Sequence, residues 1–449
     1  MKLRQPFHAA RRGRTLSLTA LLPLLLILSA AFHPARSQPG SSFERERGLI
    51  MLDSVKSDLK KNYYDANFHG MDLTARFKQA EEKIKQAASN GQIFSIIAQL
   101  LSELEDSHTF FLPPSRVGRT DYGWQMQMIG DKCYVTAIRP KSDAEAKGLK
   151  LGDEVWTIDG FGLTRENLWK LKYIYYSLKP RGGMRVVVKK PDGQEQQLDV
   201  MAKVVSGKQV IDLTGNDIVQ FIREAESEDR LHRHRYYELG DELMIWKMPQ
   251  FDLTDLGVDE IMDKVRKRKA LVLDLRGNGG GAISTLQRLV GNLFDRDIKI
   301  GDVKGRNEMK PQVGKTRGQK AYQGKLVVLV DSESGSASEL FARIVQLEKR
   351  GTVIGDRTAG AVMVSKHYSH QLGIDTIALY GVSVTNADVI MSDGKSLEHM
   401  GVTPDEVLLP TPADMAARRD PVLARAAALL GLTLDPDKAG TFFPVEWRK

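Results

Sequence analysis

The chain has 449 residues, 42% hydrophobic and 27% charged, an ordinary globular balance with room for two or three domains. Its net charge of +8 is gathered at one end, because Lys2, Arg4, Arg11, Arg12, Arg14 and Arg36 lie in the first 37 residues, which hold no acid. Beyond them 59 basic residues face 57 acidic ones, which argues against nucleic-acid binding, and the single cysteine, Cys133, excludes an intramolecular disulfide.

Residues 1–37 read as a secretory signal. Arg11 to Arg14 make a charged start, Leu16 to Phe32 an apolar run, and Ala35 and Ser37 the small residues before a cut at Gln38. The alternative is an uncleaved anchor, for which the run is short. Export to a bacterial periplasm or beyond is therefore expected, with no membrane span left after cleavage.

Residues 43–115 form a helical domain. Leu49, Leu52, Val55 and Leu59 recur at helical spacing, as do Ile93, Ile97, Leu100, Leu101 and Leu104. The loop Asp106-Ser107-His108-Thr109 ends it, before Pro113 and Pro114. Residues 120–205 change to short strands, CYVTAI, EVWTIDG and MRVVVKKPDG, with Gly and Asp at the turns and a helix near Arg165 to Tyr176. Cys133 sits in the first of these strands as a small core residue. Residues 206–238 read as a linker.

From 239 to 449 strands and helices alternate, which argues for an α/β domain. LMIWKM, LVLDL (Leu271 to Leu275) and LVVLV (Leu326 to Val330) are strands of buried character. Leu256 to Arg268, Ala282 to Phe294 and Ala337 to Gln346 suit helices, and Gly301 to Gly324, rich in Gly and Lys, reads as a mobile loop.

Four segments carry candidate chemistry. Ser336 stands between a buried strand and a helix, where free N–H groups and the helix dipole stabilise an oxyanion. Ser336 and Glu339 also spell a capping box, which needs no catalysis. Asp274-Leu275-Arg276-Gly277-Asn278-Gly279-Gly280-Gly281 puts glycines at a strand end, either as a tight turn or as a close approach to a ligand. Gly277, Gly279 and Ala282 match a dinucleotide fingerprint only in its shortest form. Ser107-His108 in its loop and Glu398 near the Gly401-Val402-Thr403-Pro404-Asp405 turn read singly as solvated polar residues. No metal-ligand cluster is visible, and no cofactor is expected.

Taken together and in order, DLRGNGGG, GSASE, Gly355-Asp356-Arg357-Thr358-Ala359-Gly360 and LEHMGVTPD resemble the tail-specific, or C-terminal-processing, serine peptidases and their tricorn-core relatives. The phrase Ala144 to Val155, with its GLKLGD strand start, and the turn Ile158-Asp159-Gly160 resemble a PDZ module. The resemblance implies an α/β peptidase core of the ClpP/crotonase type, with an N-terminal helical domain and an inserted PDZ-like β domain. It also implies an exported serine endopeptidase acting on unfolded or tail-exposed proteins and peptides. In the Ser/Lys branch of that family a lysine follows the T-x-G motif; here that place is Ala361, and Lys366 does not match. The tricorn-like branch takes a His from an S-H-T loop and an acid before the G-V-x-P-D turn, which match His108 and Glu398.

A serine needs a base within hydrogen-bond reach, and an imidazole held by a carboxylate supplies one. The resemblance thus implies Ser336 as nucleophile, His108 as base and Glu398 as orienting acid, through Ser107. It implies the N–H groups of Gly280 and Ala337 as oxyanion hole. Asp393, Asp405 and Gly279 compete for the acid and glycine roles. The PDZ resemblance implies capture of a C-terminal carboxylate at Tyr122, Gly123, Trp124 and Gln125, a segment richer in aromatics than usual. The alternative reading, favoured by Ala361, is a catalytically inactive PDZ scaffold on a peptidase fold.

Overall fold

A computed structural model describes residues 42–114, 118–206, 233–373 and 378–447. The signal segment 1–37 and most of the linker 206–238 lie outside the described residues.

Helices α1 (Ser42–Asn62), α2 (Leu73–Lys85) and α3 (Asn90–Ser102) form where the apolar spacing places them. Asp72 accepts the Ala75 N–H at 3.0 Å and Ser89 the Gln92 N–H at 3.3 Å, N-caps each contributing about 1 kcal/mol. Met51, Val55, Leu59, Phe77, Ile84, Ile97 and Leu101 fill the space between them. Strand β1 (Phe110–Leu112) then leads out of the His108 loop.

A second, separate core belongs to residues 122–200, with Tyr122, Trp124, Val135, Val155, Val186 and Val200 buried in it. Around it run β2 (Gly118–Asp121), β3 (Trp124–Ile129), β4 (Lys132–Ile138), β5 (Glu154–Ile158), β6 (Phe161–Gly162), β7 (Gly183–Lys189), β8 (Glu195–Met201) and β9 (Lys203–Ser206). The main sheet is antiparallel in the order β3-β4-β5-β7-β8, flanked by short helices α4 (Asp143–Ala146) and α5 (Leu168–Tyr173). Cys133 is buried here, and burial pushes its thiol up to about 12, so it is inert. This module rests on the third unit through polar contacts. Gln127 donates to Asp331 at 2.6 Å, the Gly130 N–H to Asp356 at 2.8 Å, and Arg165 to Asp356 at 2.6 Å.

The third unit holds a six-stranded sheet of β10 (Arg235–Leu239), β11 (Leu243–Lys247), β12 (Ala270–Asp274), β15 (Lys325–Val330), β16 (Thr352–Gly355) and β19 (Glu406–Val407). Every neighbouring pair except β10 with β11 is parallel. Both faces are covered, as a parallel sheet requires. Trp246, Leu271, Leu273, Val328 and Val330 face helices α6 (Asp255–Val265), α7 (Ile283–Leu293) and α8 (Ala337–Leu347). Ile245, Val272, Val327 and Leu329 face α10 (Pro421–Leu429), which follows α9 (Pro412–Ala417) and precedes α11 (Pro436–Ala439). The fold class is α/β, as the sequence pattern implies.

The stretch expected as a mobile loop is instead largely a hairpin, β13 (Ile298–Gly305) with β14 (Met309–Gly314). Its lysines lie on the exposed side, and Pro311 is tolerated because β14 is an edge strand. The hairpin joins a second sheet with β1, β17 (Met363–Leu372) and β18 (Ala378–Ile390). β18 is the element that ties the units together, since it pairs with β1, β13 and β17.

After α11 the chain end is fastened back. Phe442 stacks on Tyr237 with ring centroids 3.9 Å apart, Arg235 donates to the Pro444 carbonyl, and Arg233 pairs with Glu446 at 2.8 Å. The Trp447 ring lies under the Arg139 guanidinium, 5.1 Å away.

Candidate active site

In an open parallel sheet the crevice lies beyond the carboxyl ends of the strands. Adjacent strands β12 and β15 end here in two laced turns. The turn after β12 is held by Asn278, which is wholly buried. Its amide donates to the Met248 carbonyl at 2.8 Å, its Oδ1 accepts the Gly280 N–H at 2.8 Å, and its carbonyl accepts the Gly335 N–H and the Ser338 hydroxyl, both at 2.9 Å. Behind it Asp274 is buried, and the Arg276 guanidinium and Lys247 hold its carboxyl well below the usual range against the pull of burial. Arg276 also reaches Asp420, the cap of α10, at 2.7 Å.

The turn after β15 delivers Ser336 to the start of α8 with φ 52° and ψ −117°. That backbone is strained for a non-glycine residue, by about 1–3 kcal/mol, and it lifts the side chain off the strand end. Gly280 lies directly against it. A Cβ on Gly280, whose φ is +103°, would stand 2.5 Å from the Ser336 Cβ and 3.0 Å from the Ala337 nitrogen. Among the described residues the Ala337 N–H has no protein acceptor, as befits a first-turn donor. Gly280 differs from expectation. Its N–H is engaged by Asn278, because the buried amide folds its oxygen back two residues along the chain. The neighbouring Gly279 N–H has no protein acceptor among the described residues.

Glu339, one turn into α8, accepts the Ser336 N–H at 3.0 Å, as the capping-box spacing predicts. Its other acceptor positions take the Thr358 hydroxyl at 2.6 Å and the Gly360 and Ala361 N–H groups at 2.7 and 2.9 Å. Burial pushes this carboxyl up to about 7, while those donors pull it back.

His108 is brought to the site by its loop. Asp106 Oδ1 accepts the N–H groups of His108 and Thr109 at 2.9 and 2.7 Å and the Thr385 hydroxyl of β18 at 2.7 Å. Ser107 and Glu398 meet there: Glu398 accepts the Ser107 N–H at 2.8 Å, the Ser107 hydroxyl at 2.9 Å and the Val362 N–H at 2.7 Å. Ser107 Oγ is also 2.7 Å from His108 Nδ1. A carboxylate only accepts, so the hydroxyl donates to Glu398 and must accept from Nδ1–H. That fixes the tautomer and leaves Nε2 with its lone pair. Burial holds the imidazole below its ordinary value, with Glu398 and Asp106 pulling the other way.

The structure thus gathers Ser107, His108 and Glu398 into one hydrogen-bonded group and packs Gly280 against Ser336 and Ala337. Among the described residues no hydrogen bond joins Ser336 to His108, a contact that often forms only around substrate. The competing acids lie elsewhere: Asp393 pairs with Arg343 at 2.5 Å, and Asp405 accepts from Gln346 and the Val353 N–H. Lys366 is exposed beside the Tyr368 ring. The segment expected to grip a peptide is differently used. Tyr122 and Trp124 are buried in their own core, and the Gly123 N–H is already donated to Asp121 at 2.9 Å. Aromatic residues there serve packing, and an internal carboxylate takes the Gly123 donor. Sequence reasoning missed Asn278 as a positioning residue and the β18 anchor of the His108 loop. The spacing of Asp106 and Thr109, an acid followed by its own turn, was the available signal.

Residues 244–408 match the family model described as peptidase family S41. The chain is 25% identical over 396 residues to the chloroplastic C-terminal processing peptidase of Tetradesmus obliquus, spanning 84% of this chain and 80% of that protein. It is 25% identical over 355 residues to the tail-specific protease of Haemophilus influenzae, spanning 74% of this chain but 48% of that protein. Among solved structures, mature CPAF superposes with a TM-score of 0.62 at 16% identity, over 84% of this chain and 95% of that one, a likeness of fold. With the core motifs in place on such a sheet, residues 244–408 are a peptidase family S41 domain, and the chain is a serine-type peptidase.

Proposed function

We propose that the chain is an exported endopeptidase of the tricorn-like, Ser/His/Glu type, cutting unfolded or tail-exposed proteins. The observation that carries this reading is the relay from Glu398 through the Ser107 hydroxyl to His108 Nδ1. It leaves Nε2 as the base for a serine held in a strained turn. His108 takes the Ser336 proton as Oγ attacks the scissile carbonyl. The Ala337 N–H and a donor from the Gly279–Gly280 turn receive the developing oxyanion, and His108 returns the proton to the leaving amine. The names of the relatives, tail-specific protease and C-terminal processing peptidase, support substrates with accessible chain ends. The Arg-rich start supports export.

A fluorophosphonate probe tests this most directly. Ser336 should be labelled, and Ser336→Ala should be blank, with turnover lower by roughly 10⁴-fold or more. Wild-type protein that folds but takes no label would favour the inactive scaffold, the reading that Ala361 in the lysine place supports.

A further inference from the structure

Glu339 is more than a helix cap. Its carboxylate is wholly buried, both oxygens accept two donors each, and these come from two chain segments far apart in sequence. One donor is the backbone N–H of Ser336 itself. The others are Thr358, Gly360 and Ala361, in the loop after β16. That same loop holds the other half of the site. The Val362 N–H, next in line, is donated to Glu398; the Gly360 carbonyl accepts the His399 N–H at 2.8 Å; and Thr358 Oγ1 accepts the Val402 N–H at 2.6 Å. An unbroken set of bonds therefore runs from Ser336 through Glu339 to the Glu398 turn, and on through Ser107 to His108.

Resting on the assignment above, we propose that Glu339, as its carboxylate anion, is a positioning residue that sets the Ser336 turn in register with the Glu398–Ser107–His108 relay. Among the described residues all four groups that face it donate, so a proton on the acid form would have to turn the Thr358 hydroxyl round or displace an N–H, and at least one of the four bonds would be lost. This makes the register sensitive to protonation. The facing groups, from Thr358, Gly360, Ala361 and Ser336, are all neutral. Charged residues on the elements packed around it are engaged elsewhere: Arg343 on α8 with Asp393, Asp356 with Arg165, and Glu398 with Ser107.

The test is the rate constant for fluorophosphonate labelling of Ser336 against pH, in the full chain, for wild type and Glu339→Gln. At pH 8 the variant should label about 10²-fold more slowly, the size expected for a misplaced nucleophile. Wild type should lose reactivity in two acid steps. The upper, near pH 7, belongs to Glu339, and the lower to His108; the variant should keep only the lower. Thermal melting of the variant checks that its loss is not unfolding. If the variant does not fold, the wild-type profile decides, and a single-proton limb overturns the proposal. Equal rates in both proteins overturn it while leaving the Ser/His/Glu assignment standing. A wild type that is not labelled at any pH overturns both.

Discussion

At the scale of single residues, the site depends on which group carries which proton. Among the described residues His108 has no direct carboxylate partner; a hydroxyl stands between it and Glu398. Burial lowers its affinity for a proton and Glu398 raises it. His108→Ala should be nearly as inactive as Ser336→Ala, whereas Lys366→Ala should keep most of its activity. Loss of activity in the lysine variant with a working histidine variant would reverse the assignment of the base. Glu398→Gln removes a charge that favours the imidazolium, so the histidine step in kcat/KM against pH should move to lower pH while the plateau drops. A histidine step that stays put would mean that Glu398 does not act on His108. Ser336, His108, Glu398 and Ser107 stood out in the sequence as candidates, because each lies in a motif with fixed spacing. Asn278 did not, because a buried amide that satisfies two neighbours looks in sequence like any turn residue.

Among the elements, legibility followed burial. The strands β11, β12 and β15 and the helices α7 and α8 stand within a residue or two of where their apolar runs put them, since both faces of that sheet are covered. The hairpin of β13 and β14 and strand β17 were missed, because their exposed faces carry lysine, histidine and glutamine; β18 was missed though largely buried, because Gly381, Ser383, Thr385 and Asn386 interrupt its apolar residues. Yet β18 fixes the His108 loop through Thr385. The glycine turn shows why residue identity matters at an element junction. Gly280→Ala adds a methyl in the left-handed region where the nearest atoms are the Cβ of Ser336 and the nitrogen of Ala337. Backbone and not a flexible side chain must give way, so labelling of Ser336 should fall at least 10²-fold. Stability should drop by more than the roughly 1 kcal/mol of an ordinary glycine replacement. An alanine variant with wild-type labelling would show that the two turns are not packed as described.

For the whole molecule, the residues 122–200 module sits on the loop that leads to Ser336, since Gln127 holds Asp331 and the Ser332 hydroxyl is donated to the Met128 carbonyl at 2.5 Å. Arg165 and Asp356, both mostly buried, close the other side of that contact. Module and nucleophile loop therefore share one set of bonds, and neither moves freely without the other. The fastened segment 442–447 has a different consequence. A peptidase is itself a polypeptide, and in a purified solution neighbouring copies are the chains it meets most. Phe442 on Tyr237, Glu446 on Arg233, and Trp447 under Arg139 hold that segment against the fold. Releasing it, by Tyr237→Ala with Arg233→Ala, should yield protein that cleaves itself within this segment on storage, read as a falling intact mass. The same pair of changes on Ser336→Ala should leave the mass constant; trimming there would point to a contaminating peptidase, and an untrimmed active variant would mean that the fastening protects nothing.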